Sequence, residues 1–208
     1  MRSLLIIFGL MLVIQSHAQE NNHVFVFLNS KPDKETITAE EEDALQKAHR
    51  ANIDRLVNEG KMIVAGPFDG GGGIFILTTG DASTARTWLD SDPAVKANRW
   101  DVDLYPIQYL LGGACLAKEP YEMVNYNFIR VSIINEIANY KMNKASTNIW
   151  GSLIKAEDIL MTGIFPQEDG GIIIYSGQER TDWFGKYQDE QVSLTHKNVW
   201  VAKGSFCE

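Results

Sequence analysis

The feature that most constrains the fold of this chain is an internal repeat with a spacing of about 97 residues. The segment Ile63–Phe68 reappears as Leu160–Phe165, which places Gly66 opposite Gly163. Three further matches follow in the same order: 72–76 with 170–174, 86–89 with 180–184, and Asp92 with Asp189. Because both the order and the spacing are kept, the sequence predicts two copies of one small module.

The first copy, residues 23–110, has the pattern of a β-α-β-β-α-β module. Its first helix has clear ends, because Thr38 begins a capping box with Glu41 and Gly60 is a natural C-terminal stop. The predicted strands are 24–28, 62–65, 73–78 and 100–108, and the predicted helices are 38–60 and 82–90. This order predicts a ferredoxin-like unit, an antiparallel sheet with both helices on one face.

The second copy, residues 122–208, follows a linker at residues 111–121 and repeats this order in eroded form. Its predicted elements are strands at 126–134 and 198–203, a helix at 142–155 and a hairpin around 163–171. One face of each four-stranded sheet is left uncovered by its own helices. We therefore expect an α+β protein in which the two sheets pack face to face within one chain, as an intrachain pseudo-dimer.

Residues 1–18 have the layout of a secretory signal peptide. A basic start at Arg2 precedes an apolar run over residues 4–14, and the small-residue pattern Ser16–Ala18 follows before Gln19. A membrane anchor is the alternative, but this run is shorter than the roughly 20 residues that span a bilayer. We expect an exported protein, periplasmic or secreted, with no membrane contact after processing.

The acidic composition argues against nucleic acid as a partner. The net charge is −8, and it becomes −9 if residues 1–18 are removed, because only Arg2 is lost among the charged residues. A surface of this sign repels phosphate backbones.

The chain has two cysteines, Cys115 and Cys207, and each follows the last predicted strand of its copy. Export would permit a disulfide between them. Two free thiols are an equal alternative, because the sequence does not give the Cα separation that a disulfide requires.

Three stretches of the first copy resemble the signature of the YCII-related family: His49 on the first helix, Ala65–Asp69, and Ser91–Pro93. The resemblance covers residues 23–110 well and residues 120–208 only in outline. It implies a ferredoxin-like dimeric α+β barrel with a His and Asp pair in a cavity, in a family whose chemistry is largely unassigned. His49 and Asp92 are then the candidate catalytic residues, Asp69 and Phe68 are candidate binding residues, and no metal or cofactor is expected.

The physics of His49 is compatible with this role. Leu45, His49, Ile53 and Leu56 recur at helical spacing, which places His49 on the stripe that faces the sheet. An imidazole there can act as base or acid near neutral pH if a carboxylate such as Asp92 orients its second nitrogen. The alternative is a core histidine bonded to a backbone carbonyl.

Each of the other candidates has a structural alternative. Asp92 before Pro93 fits a helix N-cap, and capping and catalysis can coexist. Asp69 before Gly70 fits a turn. The run of glycines at 70–73 leads into a strand and lacks a following Gly-Lys-Ser/Thr, so a hairpin is favoured over a phosphate loop.

The second copy lacks the complete pair. Ser146 stands where the first copy has His49, and Glu190 rather than proline follows Asp189. The sequence also shows no zinc-ligand spacing and no Gly-x-Ser-x-Gly elbow, and His196 is predicted to be an exposed loop residue. Two function classes remain: a cofactor-free isomerase or lyase acting on a small organic compound, and a non-catalytic module that binds a small molecule.

Overall fold

The computed structural model describes residues 23–133, 150, 157–167, 170–189 and 192–207. The predicted signal peptide at 1–18 and the predicted helix at 142–155, apart from Trp150, lie outside these residues. The described strands are β1 (His23–Ser30), β2 (Met62–Pro67), β3 (Gly73–Leu77), β4 (Trp100–Leu111), β5 (Gly113–Ala114), β6 (Met123–Ile133), β7 (Ile159–Ile164), β8 (Gly170–Tyr175), β9 (Val192–Ala202) and β10 (Phe206–Cys207). The described helices are α1 (Ala39–Asn58), α2 (Ala82–Leu89), α3 (Pro93–Lys96) and α4 (Asp182–Tyr187).

The sheet dominates the fold. Eight strands pair antiparallel in the order β2-β3-β1-β4-β7-β8-β6-β9, and β5 pairs separately with β10. Strands β1 to β4 have the order of a ferredoxin-like unit, with α1 between β1 and β2 and α2 between β3 and β4. The predicted α+β class with an antiparallel sheet is confirmed.

Helix α1 begins and ends for the reasons predicted from sequence. The Thr38 side chain accepts the backbone N–H of Glu41, and the Glu41 carboxylate accepts the backbone N–H of Thr38, which completes the capping box. After the helix, Gly60 has a φ of +67°, a left-handed conformation that glycine adopts without strain. The helix buries His49, Asn52 and Leu56 against the rest of the molecule.

Alternation along the strands divides the core into layers. On β1, Phe25 and Phe27 point to one side of the sheet, whereas Val24, Val26 and Leu28 pack on the side that carries α1 and α2. The cluster around Phe25 and Phe27 also contains buried residues of the second half: Phe128, Met161, Phe165, Ile172, Ile174, Val199 and Val201. This apolar layer therefore joins strands from both halves of the chain.

The second half corrects two sequence predictions. Strand β9 begins at Val192 rather than at residue 198, and it pairs with β6 along its whole length. His196 consequently lies inside β9 and is not an exposed loop residue; its side chain is 15% exposed. The polar run Thr195–Asn198 concealed this strand. Thr195 and Lys197 are exposed on one face, as a face in contact with solvent permits, and on the other face the half-buried His196 bonds to Asn127.

The two chain segments that carry the cysteines are joined. Cys115 and Cys207 form a disulfide with a Cα separation of 5.8 Å, next to the pairing of β5 with β10. Strand β4 runs to Leu111, and β5 lies within the region predicted as linker, so part of that region is paired strand. No helix in the described part of the chain is long and apolar enough to cross a bilayer.

Candidate active site

His49 and Asp92 are in direct contact. His49 Nδ1 lies 2.8 Å from Asp92 Oδ2, although the two residues are 43 positions apart in the chain. Helix α1 supplies the histidine, and the residue that precedes α3 supplies the carboxylate. The His49 ring also contacts the rings of Phe75 and Trp100, with centroid distances of 6.0 and 4.8 Å. Aromatic neighbours and a buried carboxylate thus fix the orientation of this imidazole.

Asp92 is fully buried, and three N–H groups and the His49 ring nitrogen Nδ1 surround its carboxylate. Oδ1 accepts the backbone N–H groups of Ala94 and Val95 at 2.9 and 3.2 Å, so the predicted N-cap is present. Oδ2 accepts the side-chain amide of Asn52 at 3.0 Å and faces His49. Burial alone would raise the pKa of Asp92, but the hydrogen bond and charge of His49 and the two backbone donors hold that pKa below its ordinary value. Asp92 is therefore an anion at neutral pH.

Asn52 was not predicted from the sequence as part of this group. Its amide oxygen accepts Arg55 Nη2 at 2.9 Å and the Ser91 hydroxyl at 3.1 Å, which leaves its NH2 group directed to Asp92. A signal was available, because Asn52 lies three residues after His49 and a polar residue there interrupts the apolar stripe.

A cavity of about 490 Å³ opens beside His49. Its apolar wall contains Phe68, Phe75, Trp100 and Trp200, of which Trp200 comes from β9 in the second half. Asp92 is not one of the lining residues, so it stands behind the histidine as seen from the cavity. This volume lies within the range of roughly 300–1,000 Å³ that is typical of small-molecule sites.

Charged side chains line part of the same cavity. Lys34, Arg50 and Arg99 contribute three cations, and Glu42 contributes one carboxylate. Arg99 is buried, and its guanidinium is already engaged by Glu42 Oε2 at 2.8 Å and by the backbone oxygen of Glu35. The surplus of positive charge therefore comes from Lys34 and Arg50, both of which are exposed.

The two predicted binding residues have different positions. Phe68 is buried and lines the cavity. The Lys197 ammonium, which is not among the lining groups, lies 4.9 Å from its ring centroid. Asp69 is exposed and does not line the cavity; its backbone N–H donates to the Asn198 carbonyl at 3.1 Å. The following residues Gly70–Gly72 all have positive φ values, as expected for a hairpin turn.

In the described residues of the second half, the counterpart of Asp92 has a different environment. This counterpart, Asp189, is exposed, and its carboxylate accepts the backbone N–H of Val192 at 2.8 Å within a turn. Ser146, the counterpart of His49, lies outside the described residues. His196 is engaged elsewhere, with Nε2 at 3.0 Å from the Asn127 side-chain oxygen. Within the described ranges, no group of three or more His, Cys, Asp or Glu side chains is placed to hold a metal ion.

Comparison with protein-family models matches residues 23–107 to the YCII-related domain. The first half of the chain therefore contains a YCII-related domain, and this part of the resemblance drawn from the sequence is confirmed. No curated protein gives a significant sequence match.

Two solved structures are similar to the chain in outline. They are a candidate monooxygenase from Fusobacterium nucleatum subsp. nucleatum, with a TM-score of 0.48, and an anthrone oxidase-like protein, with a TM-score of 0.47. Each is 10% identical in sequence, and each alignment covers 89% of this chain and 95% of the other. Similarity at this level carries no argument about the chemistry of this chain.

Proposed function

We propose that the protein is a cofactor-free acid–base enzyme of the isomerase or lyase type, acting on a small organic compound. The observation that carries the proposal is the 2.8 Å contact between His49 Nδ1 and the buried carboxylate of Asp92 beside a cavity of about 490 Å³. A carboxylate in this position fixes the ring and stabilises the positive charge that the ring acquires when it takes up a proton.

In this proposal Nδ1–H of His49 donates to Asp92, and Nε2 is the base. Nε2 removes a proton from a carbon of the substrate, and the electron pair of the broken C–H bond moves into the substrate. In an isomerisation the imidazolium returns the proton to another carbon. In an elimination the C–H electron pair forms the double bond, the leaving group departs with the electron pair of its bond to carbon, and the imidazolium gives its proton to that group or to solvent. Positioned acid–base groups of this kind contribute rate factors of about 10² to 10⁴.

In this proposal the second half is an eroded copy with a structural role. The two halves form an intrachain pseudo-dimer that resembles a dimeric α+β barrel. Strands β7-β8-β6-β9 of the second half repeat the order β2-β3-β1-β4 of the first half. Two glycines of the repeat, Gly66 and Gly163, support this reading. A Cβ on Gly66 would lie 2.3 Å from Val201 of β9, and one on Gly163 would lie 2.5 Å from Ile107 of β4. Each glycine thus permits a close approach between the halves.

Export is the second component of the proposal. The layout of residues 1–18 supports it, and so does the disulfide between Cys115 and Cys207. Stable disulfides form and persist in the periplasm and outside the cell, whereas the cytosol keeps most thiols reduced.

A non-catalytic module that binds a small molecule is the second candidate. The observation in its favour is the contrast between Asp92, which is fully buried, and its counterpart Asp189, which is an exposed turn residue. Among the described residues, Asp189 thus has a different environment from Asp92, whereas a repeat kept for catalysis would have preserved that environment.

Exchange of carbon-bound protons with solvent tests the acid–base proposal without knowledge of the natural substrate. The purified protein is incubated in D2O with a panel of small keto acids, lactones and enol-forming compounds, and NMR detects deuterium at carbon. We expect exchange for at least one compound class, and we expect His49→Gln to reduce its rate by about 10² or more. The matched control is His196→Gln, because His196 lies outside the cavity.

Exchange that survives His49→Gln would contradict the assignment of the base. Saturable binding of compounds in the panel, with no exchange in the wild-type protein, would reject the enzyme in favour of the binding module. Circular dichroism of each variant separates loss of chemistry from loss of fold.

A further inference from the structure

We infer that the ligand of the His49 cavity is a small organic anion, with an acidic group held by Lys34 and Arg50 and an apolar body against the aromatic wall. This inference rests on the proposed function, because it names the class of compound that the same cavity takes.

The charge of the cavity is opposite to that of the protein. The chain carries a net charge of −8, yet the charged side chains that line this cavity are three cations and one carboxylate. A cluster of one sign in a concave site raises the local concentration of ligands of the other sign. The cavity therefore selects anions although the rest of the surface repels them.

The cations differ in their availability. Arg99 forms an ion pair with Glu42 at 2.8 Å and is 8% exposed, so its charge is largely compensated. Lys34, in the loop before α1, and Arg50, on α1, have no ion pair within the described ranges. Both are exposed and therefore hydrated until a ligand arrives. Together with the buried Nε–H of Arg99, which has no hydrogen-bond partner in the described part of the chain, they are the groups that can bond to an incoming carboxylate without breaking a bond inside the protein.

The position of Asp92 sets the orientation of the ligand. Asp92 is an anion in contact with His49, so a second anion is disfavoured beside the imidazole. The acidic group of the ligand is thus held by Lys34 and Arg50, and the rest of the molecule extends toward the imidazole. In this orientation a carbon of the ligand body, rather than its acidic group, meets His49.

The wall of the cavity accounts for the apolar body. Phe75 and Trp100 flank the histidine, and Trp200 is 46% exposed although it is a large aromatic residue. An exposed tryptophan at the edge of a cavity offers a flat apolar surface that a ligand can cover. Because Trp200 belongs to β9, the second half contributes to ligand binding without a catalytic group of its own.

Binding of three probes tests this inference on the folded full chain: benzoate, its neutral analogue benzamide, and acetate. NMR follows the indole N–H signals of Trp100 and Trp200 during each titration. We expect benzoate to bind saturably and about tenfold more tightly than benzamide, because only benzoate gains charge-assisted hydrogen bonds. Acetate should bind more weakly than benzoate, because it has no body to cover the aromatic wall.

Single charge removals identify the groups that hold the carboxylate. Lys34→Gln and Arg50→Gln should each weaken benzoate binding severalfold and leave benzamide binding unchanged. Lys118→Gln is the matched control, because Lys118 is exposed but does not line the cavity. Equal affinities for benzoate and benzamide, equal affinities for benzoate and acetate, or no effect of the two cavity substitutions would overturn the inference.

The same titration on His49→Gln tests the inference about the ligand independently of the proposed function. Benzoate binding should persist in that variant, because the carboxylate contacts Lys34 and Arg50 and not the histidine. Anion-selective binding together with an absence of proton exchange would reject the enzyme and retain the inference. Proton exchange on neutral compounds, without selective binding of anions, would retain the proposed enzyme and reject the inference about its ligand.

Discussion

Replacement of Asp92 by asparagine should destabilise the protein by an amount that depends on pH. The carboxylate accepts three N–H groups, from Asn52, Ala94 and Val95, and in the proposed tautomer it also accepts Nδ1–H of His49. An asparagine side chain has only one oxygen. That oxygen can accept either the two backbone N–H groups of Ala94 and Val95 or the two side-chain groups of His49 and Asn52, and the other two donors then face an NH2 group. A buried donor left without an acceptor costs about 1–3 kcal/mol. We therefore expect Asp92→Asn to lower the free energy of unfolding by about 2–4 kcal/mol at pH 7.

The pH dependence follows from the direction of the pKa shift. Folding lowers the pKa of Asp92, so the ionised carboxylate contributes stability above the pKa of an unfolded aspartate, which is about 3.9. That contribution is lost as the pH falls through the lower pKa of the folded state. The difference between wild type and Asp92→Asn should therefore be largest above about pH 5 and shrink at lower pH, because a protonated Asp92 resembles asparagine.

Urea unfolding of both proteins between pH 7 and pH 3, followed by circular dichroism, measures this difference. The control is Asp189→Asn, which keeps an acceptor for the N–H of Val192 at an exposed site and should change stability by less than about 0.5 kcal/mol. A difference between wild type and Asp92→Asn that is absent at pH 7, or that stays constant across the range, would refute the described network.

Two further predictions concern the junctions of the fold. Gly66→Ala should destabilise the protein by about 1–3 kcal/mol, because its Cβ would meet Val201 and a backbone oxygen of β9. Gly113→Ala is the control, because a Cβ there meets open space and should be tolerated. Thermal unfolding compares the two variants. Reduction of the disulfide between Cys115 and Cys207, which closes a sequence separation of 92 residues, should cost about 2–4 kcal/mol. Urea unfolding with and without reductant measures the cost, and a free-thiol assay that finds reactive cysteines in the unreduced protein would contradict the assigned bond.

Local signals made most of the first half predictable. Thr38, Glu41 and Gly60 fix the ends of α1 through bonds to nearby backbone, and such bonds can be inferred from a short segment of sequence. The inward direction of His49 followed from helical spacing alone. The N-cap role of Asp92 was also predictable, because Pro93 follows it.

Contacts between distant segments were not predictable in the same way. Trp200 reaches the cavity through the packing of β9 against β2, and no pattern around residue 200 encodes that contact. In the sequence, Lys34 and Arg50 look like ordinary surface residues. Only the fold shows that both line the cavity. The pairing of Cys115 with Cys207 depends on a Cα separation that the sequence does not contain.

The start of β9 was missed for a different reason. Its central residues are polar on both faces, since Thr195 and Lys197 are exposed and His196 bonds to Asn127. The alternating pattern at Val192 and Leu194 was therefore too short to indicate a strand. Pairing with β6, which runs from Ile133 opposite Val192 to Met123 opposite Ala202, determines its true length.

The most direct measurement of the central claim is the tautomer of His49, determined from the 15N chemical shifts of its ring at a pH where the ring is neutral. A bond from Nδ1–H to the Asp92 carboxylate requires that Nδ1 carries the proton and that Nε2 is free to accept one. We expect that tautomer in the wild-type protein and its loss in Asp92→Asn. A wild-type ring with its proton on Nε2, or a ring unaffected by the substitution, would contradict the proposal that Asp92 prepares His49 to act as a base.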